Sequence, residues 1–287
     1  VGSATTEGQQ ALLTELASSG FTAGANLTVL AEDPEIAYPD PVEAKSVVDR
    51  WVEDGVDLIF AFSSSGAAIA GEAASDVPVL FISNDPTATG LLQDEMQPEG
   101  NLTGVTFRVP ADRTLSIAQR AIPRLRTVGL VYPSADPAAL PHSDAVGEAA
   151  ESLGLDLELA DFTDETDAAA AVANLVQRGV DAIFVSNSPT AIRALQPIQD
   201  AADDAGIPTI ANTTIATGAV VVLSPDSIEL NRQLGRQAAR LLAGSDVADV
   251  PVEDPREFEL VLNAVVGRRI GIDLGANLLR EADRVIR

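Results

Sequence analysis

The sequence predicts an α/β protein made of two similar lobes, each a doubly wound parallel sheet with helices on both faces. Three observations lead there. Short β-branched runs alternate with longer, alanine-rich amphipathic segments, the pattern of βαβ units. An ordered set of segments occurs twice, about half a chain apart. The length of 287 residues suits one large domain or two smaller ones.

The repeat is specific in order. Gly55-Val56-Asp57-Leu58-Ile59-Phe60 recurs as Gly179-Val180-Asp181-Ala182-Ile183-Phe184, each copy preceded by an acidic helix. A polar turn follows, Ser63-Ser64-Ser65-Gly66 in one copy and Ser186-Asn187-Ser188-Pro189 in the other. Val77-Pro78-Val79-Leu80 then answers Ile207-Pro208-Thr209-Ile210. The pattern predicts helices over 9–19, 42–54, 111–122, 143–153, 167–178, 190–205 and 228–243. It predicts strands over 27–31, 57–62, 77–82, 127–132, 156–160, 181–186, 208–211 and 219–223. The lobes are expected at 1–108 plus 226–250 and at 109–225 plus 251–287, with chain crossings near 107–111, 223–226 and beyond Val250.

Composition removes whole classes of function. No apolar run approaches the roughly 20 residues of a membrane span. Cysteine is absent and His142 is the only histidine. Thiolate chemistry and cysteine zinc sites are excluded, and a histidine triad or multi-histidine metal site has one residue to draw on. No cofactor, no metal and no catalytic residue is expected. His142, beside Pro141, reads as a loop histidine. The net charge of −25 opposes nucleic acid, and the arginines look scattered. The start at Val1-Gly2-Ser3 lacks a charged, apolar leader, as in a chain whose leader has been removed.

In open parallel sheets ligands bind beyond the carboxyl ends of the strands, where helix N-termini offer unpaired N–H groups. Those segments are rich in hydroxyls and amides, which donate and accept. The candidate ligand residues are Ser3 and Thr5; Ser64 and Ser65; Ser83, Asn84 and Asp85; Tyr132 and Ser134; Asn187 and Ser188; Asn212 and Thr213; and Asp226. Helix capping is the competing role for any one of them. Asp85 can hold a ligand ammonium or shape the Asp-Pro turn. Asp57 and Asp181 fall at strand entrances and read as structural.

Several segments resemble the substrate-binding proteins of ABC transporters related to the tryptophan/tyrosine-type importers. They are Gly55–Ile59, Pro78–Leu91 with its Asp85-Pro86 and Gly90-Leu91, and Asn101-Leu102-Thr103-Gly104-Val105. The last is Gly271-Ile272 followed by Asn277–Ile286. The resemblance implies a periplasmic-binding-protein-like fold with a small polar, amino-acid-like ligand in a cleft between the lobes. It also implies an ABC permease as partner, a monomer, and an extracytoplasmic location in the periplasm or lipid-anchored at the outer face of the cell membrane. The chain departs from the family in the loop at Gly2–Gly8, at Tyr132–Pro137 and at Asn212, where an Asp is common. The alternative is a ligand-sensing module of a regulatory or signalling system with the same fold, but no basic recognition helix precedes Gln9.

Overall fold

The computed structural model describes residues 6–30, 41–136, 139–213 and 215–287. Its helices are α1 (Thr6–Ser18), α2 (Pro41–Glu53), α3 (Ser64–Ala73), α4 (Ala111–Ala121), α5 (Ala139–Ser152), α6 (Glu165–Gln177), α7 (Pro189–Arg193), α8 (Leu195–Asp204), α9 (Ser227–Leu242), α10 (Ala264–Arg269) and α11 (Ala276–Glu281). Its strands are β1 (Ile59–Ala61), β2 (Val79–Ser83), β3 (Leu102–Thr106), β4 (Thr127–Tyr132), β5 (Asp156–Asp161), β6 (Ala182–Val185), β7 (Thr209–Ala211), β8 (Val221–Pro225), β9 (Phe258–Asn263) and β10 (Arg284–Ile286). The chain divides into two compact units, Val1–Arg108 with Pro225–Glu257 and Val109–Ser224 with Phe258–Arg287. It therefore passes from one unit to the other three times.

In the first unit β1, β2 and β3 form a parallel sheet in that order. Alternation along β2 divides the core. Val79 and Phe81 face a cluster with Val48, Ala67 and Ala70 from α2 and α3, while Leu80 faces Leu12, Leu16, Leu230 and Leu234 from α1 and α9. Helices thus cover both faces. Each buried leucine of the α1–α9 pair contributes about 1.5–3 kcal/mol. Close approach depends on Gly235, where an added Cβ would lie 2.8 Å from Glu15 Cβ and 3.0 Å from Leu12 O.

The second unit holds a seven-stranded sheet in the order β10-β9-β8-β7-β6-β4-β5. From β8 to β5 the neighbours are parallel. Beside β8 the direction reverses: Asn263 N donates to Val220 O at one end, and Asp226 N donates to Glu257 O at the other. This reversal corrects the expectation of a wholly parallel sheet. It follows from the third crossing, which returns the chain at the end where β8 leaves. Leu130, Phe184 and Ile210 face α4 and α5, while Val131, Ile183 and Ala211 face α6 and α8.

The internal repeat is reproduced bond for bond. Gly55 N donates to Val52 O and Val56 N to Trp51 O; Gly179 N donates to Val176 O and Val180 N to Leu175 O. Both glycines have φ near 77° (77° and 78°), the left-handed cap that ends a helix without Cβ strain. Four residues on, Ile59 N donates to Pro78 O and Ile183 N to Pro208 O.

Other departures are local. The helix expected over 190–205 is two helices meeting at Ala194, with Pro197 in the first turn of α8, where its missing N–H costs nothing. Leu27 makes only an isolated bridge to Ala23, residues 28–30 form no strand, and Ala31 lies outside the described residues. Strands β3, β9 and β10 were not expected. Residues 251–257, expected with the second lobe, pack in the first unit. Thr106 N donates to Glu253 O, Glu253 N to Gly104 O and Thr103 Oγ1 to Val250 O, extending the edge beside β3.

Candidate functional site

In the first unit the exits of β1 and β2 share one end of the sheet. Ser63 caps α3 by accepting from Gly66 N at 3.0 Å, and Ser65 Oγ lies 3.4 Å from Ser63 Oγ. Ser64 Oγ and Ser83 Oγ are 2.7 Å apart, so a hydroxyl pair links the start of α3 to the end of β2. Ser83 is buried and Asn84 follows it into the loop. Asp85 closes the turn, its Oδ1 accepting from Thr87 Oγ1 at 2.8 Å and Ala88 N at 2.9 Å. These bonds assign Asp85 Oδ1 to the Asp-Pro turn.

Behind this turn sits Arg108, the last residue before the first crossing. Its Nη1 donates to Glu95 Oε2 at 2.8 Å and to Asp254 Oδ1 at 3.1 Å, and its Nη2 bonds Glu95 Oε1 and lies 3.6 Å from Asp85 Oδ1. The paired hydrogen bonds to Glu95 push its pKa above the ordinary arginine value. Burial opposes that rise, and the charges of Glu95, Asp85 and Asp254 add to it. The guanidinium is a fixed charge that ties the β2 and β3 exits to the segment beside the third crossing. Asp226 also belongs to this unit, where its Oδ1 accepts from Ile228 N and Glu229 N and caps α9.

In the second unit Tyr132 ends β4, and Ser186 and Asn212 directly follow the adjacent strands β6 and β7, each two residues beyond Leu130, Phe184 and Ile210 respectively. They form a polar layer above that core. Asn212 is 1% exposed; its Nδ2 donates to Thr114 Oγ1 (3.0 Å) and Leu223 O (2.9 Å), and its Oδ1 lies 3.2 Å from His142 Nε2. The amide is thus fully engaged. Ser134 donates from N (2.7 Å) and Oγ (2.6 Å) to the Asp161 carboxylate. Ser188 caps α7 by accepting from Ala191 N at 3.3 Å, and Asn187 and Thr213 are each 7% exposed. Ser3 and Thr5 lie outside the described residues.

His142 corrects the reading of a loop histidine. It lies inside α5, its ring meets Phe184 edge-on at 5.3 Å, and its Nδ1 is buried without a hydrogen-bond partner among the described residues. Burial pushes its pKa below the ordinary value, against the hydrogen bond to Asn212. Ser186 Oγ and Ser224 Oγ are also buried without partners among the described residues. Thr114 carries no sequence signal of its own, Ser186 belongs to the polar strand exit but not to the candidate ligand residues, and His142 reads in sequence as a loop residue although it falls just after a polar strand exit. Among the described residues no group of acidic, histidine or cysteine side chains could hold a metal ion, and no helix is long and apolar enough to cross a membrane.

Two helix-covered α/β units, linked by three crossings and carrying polar, capped strand exits, define the class of the periplasmic-binding-protein-like folds. Comparison with known proteins narrows this. Residues 4–286 match the family described as ABC transporter substrate binding protein, and the chain belongs to that family. A tyrosine-binding protein of Clostridioides difficile (strain R20291) is 24% identical over 251 residues, 86% of this chain and 72% of that protein. The structure of an ABC domain from Streptococcus pneumonia in complex with L-Trp superposes with a TM-score of 0.82 at 22% identity, covering 99% of this chain and 97% of that one. A ligand-free, open substrate-binding protein with adhesive properties from Clostridium difficile gives 0.80 at 23% identity, covering 98% and 94%.

Proposed function

We propose that this substrate-binding protein takes up an amino acid through its polar strand-exit loops and delivers it, chemically unchanged, to a membrane permease outside the cytoplasm, acting as a monomer. The carrying observation is that both units end their strands in hydroxyl and amide side chains, with helix N-termini beside them. The relatives agree in ligand class, one being named for tyrosine and another holding tryptophan. Ser64, Ser65 and Asn84 in one unit, and Tyr132, Ser134, Asn187 and Thr213 in the other, are the side chains we assign to ligand contact. Ser83, Asp85, Ser188, Asn212 and Asp226 hold the loops that present them.

Calorimetric titration with L-tyrosine, L-tryptophan and the other L-amino acids tests this. At least one should bind with Kd near or below about 1 μM, close to −8 kcal/mol. That ligand should raise the melting temperature and be recovered intact. A panel in which none binds, or in which the ligand is turned over, sinks the proposal. Asp85→Ala, which removes the Oδ1 acceptor of the turn, should lower the melting temperature while leaving affinity within about threefold, since the turn and not the ligand uses that oxygen.

A further inference from the structure

Between α4 and the β9–β10 edge of the second unit lies a depression of about 400 Å³, within the size range of small-molecule sites. Phe258, Ile117 and Leu260 supply apolar walls. Arg113 lies over the Phe258 ring, its guanidinium carbon 5.2 Å from the centroid. Ser116 follows at the i+3 position on the same helix face.

The charges of this depression are unequally used. Arg120, one face-turn further along α4, is held by both oxygens of Glu281 at 2.6 and 2.7 Å. Asp283 accepts from Leu260 N at 2.8 Å. Among the described residues no carboxylate reaches Arg113, in a chain with 43 acidic and 18 basic residues. The surroundings also reverse the sign of the protein. Residues 111–126 and 258–287 carry nine basic and five acidic side chains, net +4, and the remainder of the chain is −29. The Arg120–Glu281 pair joins α4 to α11, so two of the arginine-bearing segments meet at this depression.

We propose that this depression binds a small organic carboxylate with an apolar body. The carboxylate meets Arg113 and Ser116, and the body lies against Phe258, Ile117 and Leu260. The Phe258 ring face attracts the guanidinium without using its N–H groups, which can form charge-assisted bonds. This site is independent of the amino-acid reading. Fluorine NMR of 4-fluorophenylacetate tests it, with Arg113→Gln as the site variant and Arg124→Gln as a charge control outside the depression. Wild type should bind with Kd below about 1 mM. Arg113→Gln should weaken this at least about tenfold, Arg124→Gln less than about twofold, and 4-fluorophenethylamine should not bind. Melting shifts produced by L-tyrosine or L-tryptophan should be the same in Arg113→Gln as in wild type. Failure of wild type to bind, equal effects of the two substitutions, no effect of Arg113→Gln, or equal binding of the amine would each overturn the assignment.

Discussion

His142 shows what a single side chain can contribute when its surroundings are fixed. With its ring against Phe184 and Nε2 at Asn212, the imidazole has its neutral form favoured by burial, against the Asn212 hydrogen bond, so its folded pKa lies below the unfolded value near 6.5. The unfolded chain therefore binds the proton first as pH falls. This contribution to stability is full above about pH 6.5 and declines below it until the folded pKa is reached. Because the chain has one histidine, its imidazole proton resonances can be followed without assignment. In the folded protein their titration midpoint should fall below 6.5; a midpoint at or above 6.5 would refute the burial argument. Residues of this kind were only half legible in the sequence. Asp85 carries both of its readings in the Asp-Pro dipeptide, and the Thr87 and Ala88 bonds to its Oδ1 favour the turn. His142 looked peripheral because a Pro beside it signals a loop, whereas α5 starts before Pro141 and carries the histidine inward.

Elements were read best where pattern and punctuation agreed. The repeat could be seen because Gly55 and Gly179 are needed at the same left-handed caps and Pro78 and Pro208 precede the same register of strand pairing. Strand β3 escaped because Gly104 interrupts it and β10 because three residues beside arginine give no clear period of two, whereas β9, six residues of Phe258–Asn263, carries a strand composition that the reading did not use. In β3, Gly104 is a requirement of packing. A Cβ there would lie 2.1 Å from Phe81 O and 2.6 Å from Phe81 N, backbone atoms that cannot move aside. Gly104→Ala should cost at least about 3 kcal/mol in chemical denaturation, at the upper end of overpacking penalties. A loss below about 1 kcal/mol would mean that β2 and β3 can separate locally.

At the scale of the whole molecule, two properties are set by the path of the chain. The reversed strands β9 and β10 exist because the third crossing returns at Phe258, and they bring an arginine-rich C-terminal segment beside arginine-rich α4. Sequence reading could count those charges but could not know that segments over a hundred residues apart become neighbours. The fold class followed from alternation and repetition, which are local in origin; the identity of the segment joining each edge depends on crossings, which are not.

The pairing of α1 with α9 has a consequence for the order in which the protein can form. The first described helix finds its packing partner roughly 200 residues later, so contact order in the first unit is high and closure slow. During synthesis that unit lacks α9 until Leu242 has emerged and is complete only at Glu257, while the second unit awaits its last strand at Ile286. A chain truncated after Ser224 should therefore be cut by protease within residues 6–108 about as fast as in denaturant, whereas the full chain resists; equal resistance would show that α1 folds without its partner. For a protein proposed to work beyond a membrane, this built-in delay keeps the growing polypeptide threadable until almost all of it has been made.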